Sequence, residues 1–175
     1  MDKLIIKGGS KISGSVNVHG SKNSALPIIV SSLLSKKTLK LSNVPNVVDV
    51  LNLIKLLKNY GVKIEHKKNK LKINPSKIKN LSADYDVVRK MRASILILGP
   101  LLSRFGEARI SLPGGCAIGT RPIDIHLSGL SKLGANFEIQ NGFVVGSVKS
   151  QLIGNKIKLP FPSVGATENI LMASI

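Results

Sequence analysis

Residues 53–64 read LIKLLKNYGVKI, and residues 127–138 read LSGLSKLGANFE. In both stretches the apolar residues recur at helical spacing, and a glycine follows at the point where the helix would end. The residues after each glycine are typical of a strand. An aspartate, Asp49 or Asp124, stands just upstream of each predicted helix. The chain therefore contains an internal repeat, and this repeat is the main sequence signal for its fold.

A second pattern alternates with the first. Residues 24–30, 93–99 and 168–173 each begin an apolar segment that follows small polar or basic residues. Helices with so little charge around their circumference are expected to be buried on all sides. One unit is thus predicted to contain a buried helix, a strand, an exposed helix and two short strands.

Two complete units and the start of a third are expected. The third begins at Gly165, and the chain reaches Ile175 inside an apolar helix that has no stop signal. We therefore expect the chain to be part of a longer protein, either a fragment or an incomplete gene product. Strands are predicted at residues 38–41, 63–65, 71–73, 108–112, 137–139, 143–146 and 156–159.

Composition and charge limit the class of protein. The 175 residues carry a net charge of +17, which favours anionic partners and makes a nucleic-acid-binding domain one alternative. The cations are mostly lysines spread along the chain, and the densest cluster, residues 67–72, has no aromatic residue for base stacking and is expected to form a solvated hairpin. No apolar run approaches the roughly 18 residues that a membrane span needs, and the N-terminus does not resemble a signal peptide, so a cytoplasmic protein without membrane association is expected. One cysteine and three histidines without metal-ligand spacing predict neither an internal disulfide nor a metal site.

Residues 112–122, LPGGCAIGTRP, form the most informative stretch for chemistry. Three glycines and two prolines predict a shaped loop instead of regular structure. A lone cysteine is most often a small buried side chain. Cys116, however, is preceded by two glycines and lies near Arg121, and a thiol on an accessible loop beside a cation can act as a nucleophile or an acid.

Two further stretches place polar residues before predicted buried helices. Residues 20–24 read GSKNS, and small residues at a helix N-terminus expose backbone N–H groups that favour an anion, to which Lys22 adds charge and Asn23 adds donors. The alternative is a helix cap with a solvated lysine. Residues 89–94 read RKMRAS at the corresponding place in the second unit, where Arg92 either faces a ligand or pairs with nearby aspartates.

In this order, the stretches at residues 20–26, 88–93, 113–124 and 163–167 resemble the UDP-N-acetylglucosamine enolpyruvyl transferases of peptidoglycan synthesis. The likeness covers residues 4–175. It implies an inside-out α/β barrel, truncated here, in which repeated units surround buried helices. It further implies that residues 1–20 form a strand segment that pairs with a missing second domain, and that residues 21–175 form an incomplete domain with two full units and the start of a third.

The resemblance also implies roles at the phosphoenolpyruvate end of the site. Cys116 matches the loop cysteine that donates a proton to the methylene carbon of phosphoenolpyruvate and can form a covalent adduct with it. Lys22 and Asn23 match residues that contact phosphoenolpyruvate, and Arg121 matches an arginine at its phosphate. A thiol in this position is expected to react with epoxides such as fosfomycin.

The remaining roles concern UDP-N-acetylglucosamine. Arg92 matches a substrate-binding arginine, and Arg121 also begins the nucleotide-sugar segment. Where some members have a lysine, this chain has Phe161, so the cationic contact is not expected there. The other residues matched to this substrate are Pro122, Ile123, Asp124, Ile125, Ser163, Val164 and Gly165.

The implied reaction needs no cofactor. Its general base, an aspartate, and further arginines belong to the missing domain, so the isolated chain is expected to be inactive. Three alternatives remain beside this interpretation: the sister enzyme of the shikimate pathway, which the cysteine loop argues against, a basic nucleic-acid-binding domain, and a non-catalytic remnant with the same fold.

Overall fold

A computed structural model describes residues 3–78, 81, 92–112 and 123–175. Within these residues the chain forms two copies of one helix-and-sheet unit and then a single helix, which confirms the repeat predicted from the sequence. The first unit contains α1 (Lys22–Ser31) with a 3₁₀ turn (Ser32–Leu34), β1 (Leu39–Leu41), α2 (Val48–Asn59), β2 (Lys63–Lys67) and β3 (Lys70–Asn74). The second contains a 3₁₀ helix (Arg92–Ile97), α3 (Leu98–Phe105), β4 (Glu107–Ser111), α4 (Asp124–Lys132), β5 (Ala135–Gln140) and β6 (Phe143–Val148), and α5 (Val164–Ala173) begins the third.

Each unit builds a three-stranded antiparallel sheet with the same strand order. The orders are β1-β3-β2 and β4-β6-β5, so the last strand of each unit lies in the middle of its sheet. The lysine-rich cluster forms the turn of the β2–β3 hairpin, in which Lys67 pairs with Lys70. This confirms the predicted hairpin.

Glycines end the outer helices as the repeat predicts. Gly61 follows α2 with φ +91°, and Gly134 follows α4 with φ +98°. Glycine adopts this left-handed conformation without steric cost, which lets the chain reverse into β2 and β5. Asp49 and Asp124 lie inside the first turns of these helices and not upstream of them, where they complement the helix dipole.

The helices and both sheets share one apolar core. The amphipathic α2 contributes Leu53, Leu56 and Leu57, all fully buried, and the sheets contribute residues such as Ile73 and Ile110. In α3, every residue from Leu98 to Leu102 is buried.

The prediction that all three apolar helices are buried on every side is correct for that part of α3 and wrong for α1 and α5. Ile28 of α1 is 45% exposed, and Leu171 of α5 is 63% exposed. Their opposite faces pack well, α1 on α2 and α5 on both α3 and α4. Each of these two helices therefore has one packed face and one face on which an apolar side chain is exposed.

The prediction of a strand at residues 156–159 is also wrong. Residues 149–163 form neither helix nor strand, although Leu152 and Ile157 pack against the core. The chain after β6 is held by the end of α4 instead: Ile153 N–H donates to Leu133 O at 2.8 Å, and Asn155 Nδ2 donates to Lys132 O at 2.9 Å.

Residues 3–20 form neither helix nor strand. Their apolar side chains are almost fully exposed, including Leu4 (86%) and Ile12 (96%). Their pairing with a further domain stays a prediction. In the part of the chain that the structure describes, no helix has the length and apolar character needed to cross a bilayer.

Candidate active site

The start of α1 carries the first predicted site residues. Ser21 caps the helix, its hydroxyl oxygen accepting the Ser24 N–H at 3.3 Å, and Lys22 and Asn23 follow in the first turn with exposed side chains. Gly20 is packed so closely against the backbone of Asn43 that a Cβ would clash with its carbonyl oxygen. The glycine is therefore needed for the close approach of the chain just before α1 to the segment between β1 and α2.

Lys22 has a partner that the sequence analysis missed. Its Nζ lies 2.8 Å from Oδ2 of Asp49, in the first turn of α2. Both side chains are more than a third exposed, so the pair adds little to stability, but it sets where the ammonium group lies. Asp49 was noticeable in the sequence only through its counterpart Asp124 in the second unit.

The starts of α4 and α5 form a second cluster. Ile123, Asp124 and Ile125 lie at the start of α4, while Ser163 caps α5 by accepting the Ala166 N–H at 3.3 Å. Gly165, in the first turn of α5, lies against the ring of His126 on α4, and a Cβ there would be 3.3 Å from Cε1 of His126. The structure therefore brings together two segments that lie some forty residues apart in the sequence.

The starts of α1 and α5 favour anions, whereas the first turn of α4 carries the acidic side chain of Asp124. The first turns of α1 and α5 contain no acidic side chain, and each has backbone N–H groups that the helix itself leaves without acceptors. Val164 is 76% exposed, so the first turn of α5 is open to a ligand. Burial raises the pKa of the Glu168 carboxyl, one turn further along α5.

Sequence analysis also missed two buried polar residues behind this cluster, His126 and Asn169. Asn169 Nδ2 lies 3.2 Å from His126 Nδ1. Both could have been recognised from the sequence as polar residues inside apolar helices, because a buried polar side chain needs a hydrogen-bonding partner.

Several predicted site residues fall outside the description. Cys116, Arg121 and Pro122 lie outside the described residues. Arg92 is the first residue of the 3₁₀ helix, and the structure describes only its backbone. Among the described residues, no group of three or more His, Cys, Asp or Glu side chains could hold a metal ion.

Comparison with known proteins identifies the family. A family model described as EPSP synthase (3-phosphoshikimate 1-carboxyvinyltransferase) matches residues 6–175. The chain belongs to the EPSP synthase family. Its predicted fold class is confirmed by solved structures: the enolpyruvyl transferase NikO from Streptomyces tendae superposes with a TM-score of 0.79 at 19% identity, covering 95% of this chain and 39% of that one. EPSP synthase from Acinetobacter baumannii gives a TM-score of 0.73 at 22% identity, covering 91% of this chain and 37% of that one.

Curated relatives within the EPSP synthase family are much more similar in sequence. UDP-N-acetylglucosamine 1-carboxyvinyltransferase of Campylobacter fetus is 53% identical over 174 residues, which cover 99% of this chain and 42% of the relative. UDP-N-acetylglucosamine 1-carboxyvinyltransferase 1 of Halalkalibacterium halodurans is 50% identical over 175 residues, which cover 99% of this chain and 40% of the relative. The chain thus spans about two fifths of the length of these family members.

Proposed function

We propose that this chain is part of an enzyme that transfers the enolpyruvyl group of phosphoenolpyruvate to the 3-hydroxyl of UDP-N-acetylglucosamine and releases phosphate. The reaction is a cytoplasmic step of peptidoglycan synthesis. The observation that carries the proposal is the 50–53% identity, over 99% of the chain, to relatives named for this acceptor. The EPSP synthase from Acinetobacter baumannii shares the fold but only 22% of the sequence, so 3-phosphoshikimate is the less supported acceptor.

The start of α1 is the proposed site for phosphoenolpyruvate. Lys22 supplies a positive charge, and Asn23 and the backbone N–H groups of the first turn supply donors for phosphate or carboxylate oxygens. The Lys22 ammonium lies 2.8 Å from the carboxylate of Asp49, so a bound phosphate would share this ammonium with Asp49. Arg121 is proposed to add a second cation at the phosphate.

Cys116 is the proposed acid. Its thiol gives a proton to the methylene carbon C3 of phosphoenolpyruvate, C2 then gains cationic character, and the sugar 3-hydroxyl attacks C2 after losing its proton to a base. Loss of a C3 proton and of the phosphate regenerates the double bond. A residue that donates the proton with a pKa near the working pH speeds such a step.

The starts of α4 and α5 are the proposed site for the nucleotide sugar. Ser163, Val164 and Gly165 offer a hydroxyl and backbone N–H groups, and Asp124 and Ile125 are in the first turn of α4, whose next residue, His126, lies against Gly165. A diphosphate suits the N-terminal end of a helix, because the backbone N–H groups and the helix dipole favour negative charge. Pro122, Ile123, Arg121 and Arg92 are proposed to line the rest of this substrate.

The isolated chain should not turn over, because the proposed base and further arginines belong to the part of the relatives that it does not match. A chimera tests this directly. Residues 1–175 of this chain, joined to the unmatched remainder of the Campylobacter fetus relative, should release phosphate from phosphoenolpyruvate only when UDP-N-acetylglucosamine is present. The isolated chain is the matched control.

The outcomes separate the alternatives. Phosphate release with 3-phosphoshikimate and not with UDP-N-acetylglucosamine would replace the proposed acceptor. A correctly folded chimera that acts on neither acceptor would support a non-catalytic remnant. Salt-dependent binding of the isolated chain to DNA, together with an inactive chimera, would support the nucleic-acid-binding alternative.

A further inference from the structure

The outer face of the first sheet carries a dense group of lysines. In β2 and β3, exposed residues alternate with residues that face the core, as is usual for a sheet with one solvated face. The strand register places five lysines on the outer face: Lys40, Lys63, Lys67, Lys70 and Lys72. Glu65 is the one acidic residue in these three strands, so five lysines and one glutamate give this lysine face a formal net charge of +4.

The second sheet shows that this charge is not an even bias of composition. It has the same strand order as the first sheet, and its outer face is exposed in the same way. The charged residues of its strands are Glu107, Arg109 and Glu138, which give a formal net charge of −1. Lysines scattered evenly over the surface would have made both faces positive. The positive charge is therefore a property of the first sheet.

The strand register also places lysines directly opposite one another. Lys40 of β1 pairs with Lys72 of β3, and Lys67 of β2 pairs with Lys70 of β3. Like charges at directly opposite positions destabilise a sheet. The only ion pair that the described residues form on this face joins Lys72 Nζ to Glu65 Oε1 at 3.2 Å, and both side chains are at least half exposed. The lysine face therefore contains repulsion that a bound anion would relieve.

Four of these lysines line a trough on the lysine face. The trough has a volume of about 410 Å³, which is in the range of sites for small ligands, and its charged lining residues are Lys40, Glu65, Lys67, Lys70 and Lys72. Adjacent strands lie about 4.8 Å apart and alternate residues of one strand about 6.8 Å apart, so the four lysines start from an area of roughly 10 by 7 Å. One small ligand can reach all four ammonium groups. None of the residues proposed to bind either substrate lines this trough.

We propose that this trough is a binding site for a small oligophosphate, an anion in which several phosphoryl groups are linked. An ammonium group on a flexible stem binds phosphate oxygens as a point charge. A single exposed ion pair contributes little, so the ligand needs several phosphoryl groups to engage several lysines at once. The described lining residues include no aromatic side chain on which a nucleic-acid base could stack, and the trough is concave, whereas a lipid surface is flat. The inference does not depend on the proposed function.

Calorimetric titration with inorganic tripolyphosphate at low ionic strength tests the site. The trough variant combines three substitutions on the lysine face: Lys40→Gln, Lys67→Gln and Lys70→Gln. The matched control removes the same charge from exposed lysines outside the trough: Lys55→Gln, Lys58→Gln and Lys77→Gln. Loss of three exposed ion pairs should weaken binding about tenfold in the trough variant, and the control should lose less than about twofold. Equal losses would show that binding follows the net charge of the whole protein, and would overturn the inference.

Glu65→Gln gives a test in which binding should improve. The substitution removes the acidic side chain of the trough and releases Lys72 from its ion pair. Tripolyphosphate should then bind about threefold more tightly, because one repulsive charge is lost and one ammonium group is gained. The matched control is Glu107→Gln on the outer face of the second sheet, which changes the net charge equally and should have little effect. Damage to the fold cannot tighten binding, so unchanged or weaker binding in Glu65→Gln would overturn the inference.

Two further measurements separate the trough from other anion sites and other polyanions. The start of α1 also favours anions, so Lys22→Gln is titrated in parallel. A loss of tripolyphosphate binding in Lys22→Gln, with none in the trough variant, would place the anion at the candidate active site and overturn the inference. Duplex DNA and vesicles of phosphatidylglycerol should bind the trough variant and its matched control equally. If either polyanion depends on the trough lysines while tripolyphosphate does not, a macromolecular partner replaces the small ligand.

Discussion

Arg104 should be the largest single polar contribution to the contact between the two units. It lies on α3 of the second unit, and its Nη1 donates to Leu33 O at 2.8 Å and to Ser35 O at 3.1 Å. Its Nη2 donates to Pro75 O at 3.2 Å. All three acceptors belong to the first unit or to the chain that leaves it. Partial burial lowers the pKa of the guanidinium from its usual value, but the group stays charged at any ordinary pH.

Arg104→Met keeps most of the apolar stem and removes every donor. One hydrogen bond to a charged group contributes about 1.5–3 kcal/mol. The three bonds share one partly exposed guanidinium and are not additive, so we expect the free energy of unfolding to fall by about 2–4 kcal/mol. This is a large share of the roughly 5–15 kcal/mol that holds an ordinary domain folded.

Urea unfolding followed by circular dichroism measures the effect, and Arg109→Met is the matched control. Arg109 lies over the ring of Phe143 at 4.4 Å, just as Arg104 lies over the ring of Phe105 at 4.8 Å. Arg109 is exposed, so its replacement should cost less than about 1 kcal/mol. Equal losses for the two variants would refute the carbonyl contacts as the cause. A smaller m-value in Arg104→Met would indicate that the units then unfold separately.

Three further predictions concern single side chains. The Tyr60 hydroxyl is buried without a hydrogen-bond partner among the described residues, and this burial raises its pKa. Tyr60→Phe removes the unpaired hydroxyl, so it should raise the free energy of unfolding by about 1 kcal/mol in a urea titration. A loss of stability would contradict the assignment. Gly99→Ala should destabilise by about 1–3 kcal/mol in the same assay because the methyl group meets Asn169, whereas Gly154→Ala, where a Cβ meets nothing within 4 Å, should change stability little. In the chimera, Cys116→Asp should keep enolpyruvyl transfer, because a carboxylic acid also donates protons. Fosfomycin should no longer add mass to the peptide of this variant that contains residue 116. A mass gain on that peptide in Cys116→Asp would disprove the thiol as the target.

Sequence alone predicted the parts of the fold that depend on local pattern. Gly61 and Gly134 could be recognised because a glycine after a helical run is the usual end of a helix, and both have the expected positive φ. The lysine-rich β2–β3 hairpin was recognisable for the same reason, since turn and strand preferences act over a few residues. The two complete units followed from these local signals.

The failed strand at residues 156–159 had a local pattern that distant contacts overrode. A strand needs a neighbouring strand with unpaired backbone groups, and that requirement is invisible in the segment itself. In the structure, the end of α4 binds the chain just before this segment, through Leu133 to Ile153 and through Lys132 to Asn155. The apolar side chain of Ile157 still reaches the core, so the hydrophobic part of the prediction holds without the strand.

Asn169 is a buried polar residue whose contacts cannot be predicted from local sequence patterns. The partners of its carboxamide are 43, 70 and 74 residues away in the sequence, so no local pattern predicts them. Its burial does follow from its place in the apolar segment 168–173. A buried amide without partners would cost roughly 2–7 kcal/mol. A polar residue inside an apolar repeat element must therefore bond to another unit or to a ligand. In a repeat protein, where the apolar pattern defines the helices, the exceptions to that pattern indicate the contacts between units, and here the exception leads to His126 and the start of α5.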